Sequence, residues 1–431
     1  MRFVSTRGGA PVSLGDAVRA GIAADGGLFV PESLPRFTPA DFADDVSLAE
    51  ISTRLLAPFF ADDVLAAQLS VICAEAFDFA APLKPLCAAQ TFMLELFHGP
   101  TAAFKDFGAR FLAACMQRLH KRDDPPLTII VATSGDTGAA VAAAFHGRPG
   151  LRVVILYPDG RVSPRQAHQL GCFGDNVHAY RVDGSFDDCQ RLVKHALGDA
   201  ALQASVPLSS ANSISLGRLL PQMGYYAAAS LAHWRAHGSS LGFVVPTGNL
   251  GNAFAAILAR ACGLPIGDIA LATNANRSVP DFFAGTPYAA QPSVATLANA
   301  MDVGAPSNFE RLRWMYPDEH ALRTAFTCDA VDDATIRATI AAGESTWGEV
   351  FCPHTACAVH VLDGLRKRGI EGPMAIVATA HPAKFEQVVE PLIGHRVAVP
   401  DALARLLARP AHADSLAADS QAFAAALVSG A

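Results

Sequence analysis

Leu127-Thr128-Ile129-Ile130-Val131 runs into the turn Ser134-Gly135-Asp136-Thr137-Gly138 and then into an alanine-rich stretch, 139–146. A short, continuous apolar run rich in β-branched residues reads as a strand buried on both faces, and the glycine turn and helical pattern after it read as a covering helix. The unit recurs along the chain. Arg152–Leu156 is a second such run, closed by Pro158 and Gly160. His178–Val182 is a third, with Ser185 placed to cap a helix over 186–197. Leu241–Val245 is a fourth, followed by a glycine-rich turn and a helix over 252–262, and Ile269–Thr273 and Met374–Ala378 complete the set. Strands alternating with helices predict α/β architecture: parallel sheets with helices on both faces. Sheets of this kind take ligands in the loops beyond the carboxyl ends of their strands.

Outside this region the pattern changes. The first 85 residues carry acidic runs such as Asp41–Asp45 and frequent prolines, with helices expected over 47–60 and 61–77 and a boundary at Pro82 and Pro85. Residues 86–400 read as the α/β region, with a smaller subdomain at roughly 128–210 inside it. Residues 401–431 read as one or two surface helices. The full length, 431 residues, suits two or three domains at roughly 100–200 residues each.

Composition narrows the function. Charged residues make up 17% of the chain and the net charge is −7, which disfavours disorder and gives no basic surface for nucleic acid or an anionic membrane. No apolar stretch reaches the roughly 18–20 residues of a membrane span, and Met1–Gly9 lacks the apolar core of a secretory signal. Nine scattered cysteines without a CxxC pair read as small buried hydrophobes in a reducing compartment, with no metal site expected. A cytoplasmic location follows.

Six lysines occur, at 84, 105, 121, 194, 367 and 384. Lys121, Lys194 and Lys367 sit among polar neighbours, and Lys84 lies between prolines, so these four read as solvated. Lys105 is flanked by Phe104 and Phe107, after the strand Phe92–Leu96 and at the head of a helix over 104–119. Desolvation and the positive end of a helix both disfavour an ammonium there, which suits an amine acting as a nucleophile or forming a Schiff base. A lysine snorkelling from an amphipathic helix is the equal alternative on this segment alone.

Two loops weigh on that choice. Pro246-Thr247-Gly248-Asn249-Leu250-Gly251-Asn252 follows a strand and opens a helix, the setting in which backbone N–H groups and the helix terminus hold an anion. Its spacing matches neither the dinucleotide nor the ATP-binding glycine motif. Thr133–Gly138 is a second strand-to-helix loop, so either one ligand with two anionic ends or two ligands is expected. Ser209–Ser215, with Arg218 and Gln222 beyond it, is a third polar cluster, and Arg218 is suited to a phosphate or carboxylate. Thr379 ends the last strand. His98, His354 and His381 lie near these loops and read as structural.

These segments, in this order, resemble the threonine synthase family: His98–Gly108 (HGPTAAFKDFG), Ser134–Gly138, Pro246–Asn252 and Thr379–Phe385 (TAHPAKF). Ser5–Gly8, Asp25–Pro31, Ala211–Ile214, Ala272–Asn276 and Asn299–Val303 extend the resemblance over nearly the whole chain to about residue 400. It implies the fold-type II architecture of pyridoxal-phosphate enzymes, with two parallel-sheet α/β domains and a mostly helical N-terminal region. It implies Lys105 as the Schiff-base lysine and Gly248, Asn249, Leu250, Gly251 and Asn252 as the cradle of the cofactor phosphate. Thr379 is implied at the pyridine nitrogen and Asp136 near the ring hydroxyl, where relatives often carry Asn. Ser134, Thr137, Asn212, Ser213 and Arg218 are implied to hold the substrate's carboxylate and phosphate.

The activity implied is that of a carbon–oxygen lyase converting O-phospho-L-homoserine and water to L-threonine and phosphate, in a monomer or homodimer without nucleic-acid or membrane partners. A related phospholyase releasing 2-oxobutyrate is the nearest rival. A serine/threonine dehydratase has no use for a second phosphate site, a non-catalytic binder has no use for a Schiff-base lysine, and a nicotinamide dehydrogenase lacks its glycine loop.

Overall fold

The apolar runs are strands, and they sort into two sheets in the computed structural model, which describes residues 1–430. Strands are numbered along the chain. The larger sheet has the order β11 (Thr327–Ala330), β10 (Ile266–Thr273), β9 (Leu241–Pro246), β12 (Met374–Ala378), β4 (Thr91–Glu95) and β3 (Leu83–Pro85). All neighbours are parallel except β3, which runs antiparallel to β4 at the edge. The smaller sheet is wholly parallel, in the order β13 (Asp414–Ala417), β7 (Val177–Asp183), β6 (Leu151–Pro158), β5 (Leu127–Ala132) and β8 (Leu208–Ser210). All eight residues of β6 are buried, as expected of a central strand covered on both faces.

The order of the larger sheet positions the site. β9, β12 and β4 lie side by side, so the loops that leave their carboxyl ends are neighbours although they are distant in sequence. Those loops carry Gly248–Asn252, Thr379 and Lys105. In the smaller sheet β5 and β8 are likewise adjacent, and their ends lead to Thr133–Gly138 and to Asn212–Arg218.

The helix Lys105–Leu119 joins the parts. It packs against the helices Asp136–Phe145 and Leu69–Ala76. Phe77 stacks on Phe111 with ring centroids 6.0 Å apart, and Phe60 meets Phe111 edge-on at 6.0 Å, so the N-terminal region props the helix that carries Lys105.

Several elements differ from expectation. Helix 47–60 ends as an α-helix at Leu56, with Pro58 at the start of a 3₁₀ turn over Ala57–Phe60, and 61–77 is α-helical only over Leu69–Ala76. The N-terminal region also holds an antiparallel ribbon of β1 (Phe3–Ser5) and β2 (Phe29–Pro31). The tail is more than surface helices. Between helices Asp401–Leu407 and Ser420–Ser429 it contributes β13, which pairs with β7 and completes the smaller sheet. Ser185 caps Phe186–Gly198 as expected, in a capping box with Asp188.

Candidate active site

A cavity lies at the strand ends. Lys105, Asp136, Ser213, Arg218, Thr379 and all five residues Gly248–Asn252 line it, so ten of the expected positions meet there. Ser134, Thr137 and Asn212 are not part of that lining. Ser134 and Thr137 are half-buried on either side of Gly135 and Asp136. Asn212 turns its amide to the carbonyl of Ala132, at 3.2 Å, and ties the end of β5 to the loop after β8.

Lys105 is the first residue of its helix, and its ammonium lies 4.7 Å from the centroid of the Phe104 ring. Surrounding protein strips water from it, and the nearby Arg218 guanidinium adds repulsion. Together they push its pKa down to about 7, against the pull of Asp136. The lysine is therefore half in its amine form near neutrality. Its backbone is held by the larger sheet: Phe104 N–H donates to Thr379 O at 2.8 Å, and Ala103 and Ala380 form an antiparallel bridge.

The loop after β9 is shaped to approach an anion. Leu250 sits in the left-handed region at φ 60°, an uncommon conformation for a branched residue, and turns the chain into the helix Gly251–Ala261. A Cβ on Gly248 would stand 2.6 Å from the Cα of Met301, so only glycine lets the loop and the turn Asn299–Met301 close together. The first N–H groups of the helix have no carbonyl one turn back. Asn252 accepts from the hydroxyls of Tyr225 and Tyr226, each at 2.7 Å, which aligns its amide. Its Nδ2, buried at the cavity, has no hydrogen-bond acceptor among the described residues. The side chain of Asn249 is occupied by the hydroxyl of Ser213 and the N–H of Ser307, which leaves its backbone to face the cavity.

Arg218 is 1% exposed, and among the described residues no carboxylate pairs with it. It donates to Ala211 O at 2.7 Å, while its Nε has no partner among the described residues. Burial pushes its pKa down to about 10, so it remains a cation at neutral pH and favours an incoming anion.

Two further residues belong to the site that sequence reasoning did not assign to it. His354, expected to be structural, lines the cavity. Its Nε2 accepts from Ala300 N–H at 3.1 Å, and burial pushes its pKa down to about 4, so it stays neutral. Lys384 has no mark in the sequence beyond its place in TAHPAKF. It is fully buried, 2.7 Å from Asp136 and 2.8 Å from Thr101 O. Its apolar neighbours Ala383 and Phe385 are the one local hint of that burial, since its carboxylate partner lies far away in the chain. His381 caps the turn Pro382–Phe385, and His98 pairs with Glu95 at 2.7 Å.

A half-neutral lysine, unpaired N–H groups with the Asn252 amide, and a neutral threonine hydroxyl match the aldehyde, phosphate and ring nitrogen of pyridoxal phosphate. Two α/β units with this site at their strand ends define a pyridoxal-phosphate-dependent enzyme of fold type II. The model of the family "Pyridoxal-phosphate dependent enzyme" matches residues 82–381, and models of the threonine synthase N terminus and C-terminal region match 2–77 and 355–427. The chain belongs to the threonine synthase family. It is 40% identical to the threonine synthase of Serratia marcescens over 395 residues, 91% of each chain. The crystal structure of the Escherichia coli threonine synthase superposes with a TM-score of 0.93 at 36% identity, covering 100% of both chains. A pyridoxal-phosphate-bound threonine synthase from Brucella melitensis gives 0.90 at 34% identity, covering 100% of this chain and 99% of that one.

Proposed function

We propose that this chain converts O-phospho-L-homoserine and water to L-threonine and phosphate, and that Lys105 moves the protons of the reaction. The observation that carries the reading is the meeting, in one cavity, of a lysine with its pKa near 7, a glycine-loop anion cradle and a second, unpaired buried cation, Arg218. The substrate is a phosphate ester that must lose its phosphate from Cγ, so a site needs one anion subsite for the cofactor and another for the leaving group.

Pyridoxal phosphate, when bound, supplies the electron sink for carbanions formed next to the amino group. Gly248, Asn249, Leu250, Gly251 and Asn252 hold its phosphate through the loop's N–H groups and the Asn252 amide. Thr379 offers the ring nitrogen a neutral hydroxyl, and Asp136 faces the side of the ring hydroxyl. With the cofactor bound, Lys105 would take the Cα proton and then serve at Cβ and Cγ. Arg218, with Ser213, holds the substrate's carboxylate and phosphate, while Asn212, Ser134 and Thr137, outside the cavity lining, shape the loops around them. Residues 1–85 form the substrate-side wall, 86–400 the catalytic region and 401–431 the tail. In support of that wall, the buried Arg311 donates to Phe29 O on β2, to Ile214 O and to Asn308, whose amide in turn donates to Asn249 O.

Nine unpaired cysteines support the cytoplasm as the compartment, where the chain acts as a monomer or homodimer. Incubation with cofactor and O-phospho-L-homoserine, scoring phosphate, threonine and 2-oxobutyrate together, tests the reading. Phosphate matched by threonine is the expected result. Phosphate matched by 2-oxobutyrate would make the chain a phospholyase, and no phosphate would overturn the substrate.

A further inference from the structure

Lysine is rarely enclosed completely, and its burial demands a partner. Lys384 is 0% exposed and ends between Asp136 Oδ1, at 2.7 Å, and Thr101 O, at 2.8 Å. It lies in the short turn Pro382–Phe385, which follows β12 and Thr379 after Ala380 and His381. Asp136 Oδ1 also accepts from Gln166 Nε2 at 3.0 Å, and Ser163 fixes Gln166 through a capping box. The Gln166 side chain closes this arrangement from behind: a Cβ on Gly135, which holds φ 127°, would stand 2.6 Å from its amide. One carboxylate oxygen of Asp136 is thus fully occupied. The other, Oδ2, has no partner among the described residues, and Asp136 lines the cavity beside Lys105.

The charges around this pair come from every side. Lys105 and Asp106 belong to the helix Lys105–Leu119, Arg218 lies beyond β8, His354 opens the helix Pro353–Lys367, and His381 precedes Lys384 itself. Asp106 is buried and held by Thr101 through its N–H and hydroxyl, with burial pushing its pKa up to about 6. His354 and His381 are pushed down to about 4 and stay uncharged near neutrality. An isolated Asp136 carboxylate in this setting would draw a proton onto Lys105 and hold it as an ammonium, useless as a nucleophile or base.

We propose that Lys384 is a positioning residue of the reaction: it cancels the charge of Asp136 at the cavity wall, keeps Oδ2 of that carboxylate free for the cofactor, and leaves Lys105 available as the uncharged amine. The pair gives the chain an oriented dipole where a lone aspartate would impose a full charge. This inference rests on the cofactor reading of the same cavity.

The test is the pH at which the visible absorbance of the cofactor-loaded protein titrates. A wild-type protein with no visible band would remove the cofactor reading itself, an outcome separate from any shift between variants. Lys384→Met should move the midpoint upward by about one pH unit or more, because Asp136 is left uncompensated, and Asp136→Asn should move it downward, because Lys384 is. Lys384→Met with Asp136→Asn should return it close to the wild-type value, because both charges of the pair are then removed together. If Lys384→Met does not fold, Asp136→Asn and the double variant decide alone. Unmoved midpoints with a lowered melting temperature would make Lys384 a packing residue and overturn the proposal. So would a double variant that keeps the shift of Asp136→Asn.

Discussion

The backbone amide of Phe104 donates to the carbonyl of Thr379 at 2.8 Å, so the residue preceding the cavity lysine is tied to the residue that follows β12. The side chains at 105 and 379 therefore keep a fixed relation set by the larger sheet rather than by a flexible loop. If Lys105 provides the amine for the cofactor, Lys105→Ala should abolish the protein's visible absorbance and lower turnover by at least about 10²-fold. A spectrum identical to wild type in that variant would move the role elsewhere.

The pKa of Lys105 sets a pH limb. The amine is uncharged above about 7 and protonated below it, and only the uncharged form attacks an aldehyde. The rate at which cofactor-free protein captures pyridoxal phosphate should rise with pH up to about 7 and level off above it. A solvated lysine would keep the rate climbing towards its ordinary value near 10.4. Stopped-flow absorbance at pH values spanning both sides of neutrality would separate the two.

Arg218 repels a charge on Lys105, and the proposed function gives it the substrate as well. Arg218→Met should weaken O-phospho-L-homoserine binding by about 10-fold or more, since hydrogen bonds to charged groups contribute roughly 1.5–3 kcal/mol. Cofactor should remain bound. Because Arg218 repels a charge on Lys105, the capture limb should also move to higher pH in this variant. Isothermal titration and the capture assay read the two effects separately.

Gly248→Ala should open the cradle. Its Cβ would meet the backbone of Met301 at 2.6 Å, which no side-chain rotation relieves. We expect a stability loss of about 1–3 kcal/mol from overpacking and weaker cofactor retention, measured by thermal melts and equilibrium dialysis. Unchanged retention would show that the turn Asn299–Met301 moves aside freely.

How much of the molecule is legible in the sequence depends on how local each signal is. Burial of β5, β6 and β9 shows in their own continuous apolar runs, and the turn into Gly251–Ala261 shows in its own glycines. Lys105 stands out because the aromatics that desolvate it are its sequence neighbours. Lys384 does not, because Asp136 and Thr101, which explain its burial, arrive from other strands and helices. His354 reads as structural for the same reason. β13 is invisible because Asp414–Ala417 is short and mostly exposed, and its strand character comes from pairing with β7 rather than from an apolar run.

The position of β12 has a consequence for how the protein comes into being. Of the six strands in the larger sheet it is the last in the chain, yet it lies in the middle, between β9 and β4. A chain emerging from the ribosome thus holds two half-sheets that cannot join until Met374–Ala378 has been made, and Lys105 and the Gly248–Asn252 loop stay on separate halves until then. Closing such a distant pairing is slow, since a long loop must be ordered before the contacts form. If Lys105 and that loop take the cofactor as proposed, its capture falls late in the protein's biogenesis, after β12 has been made.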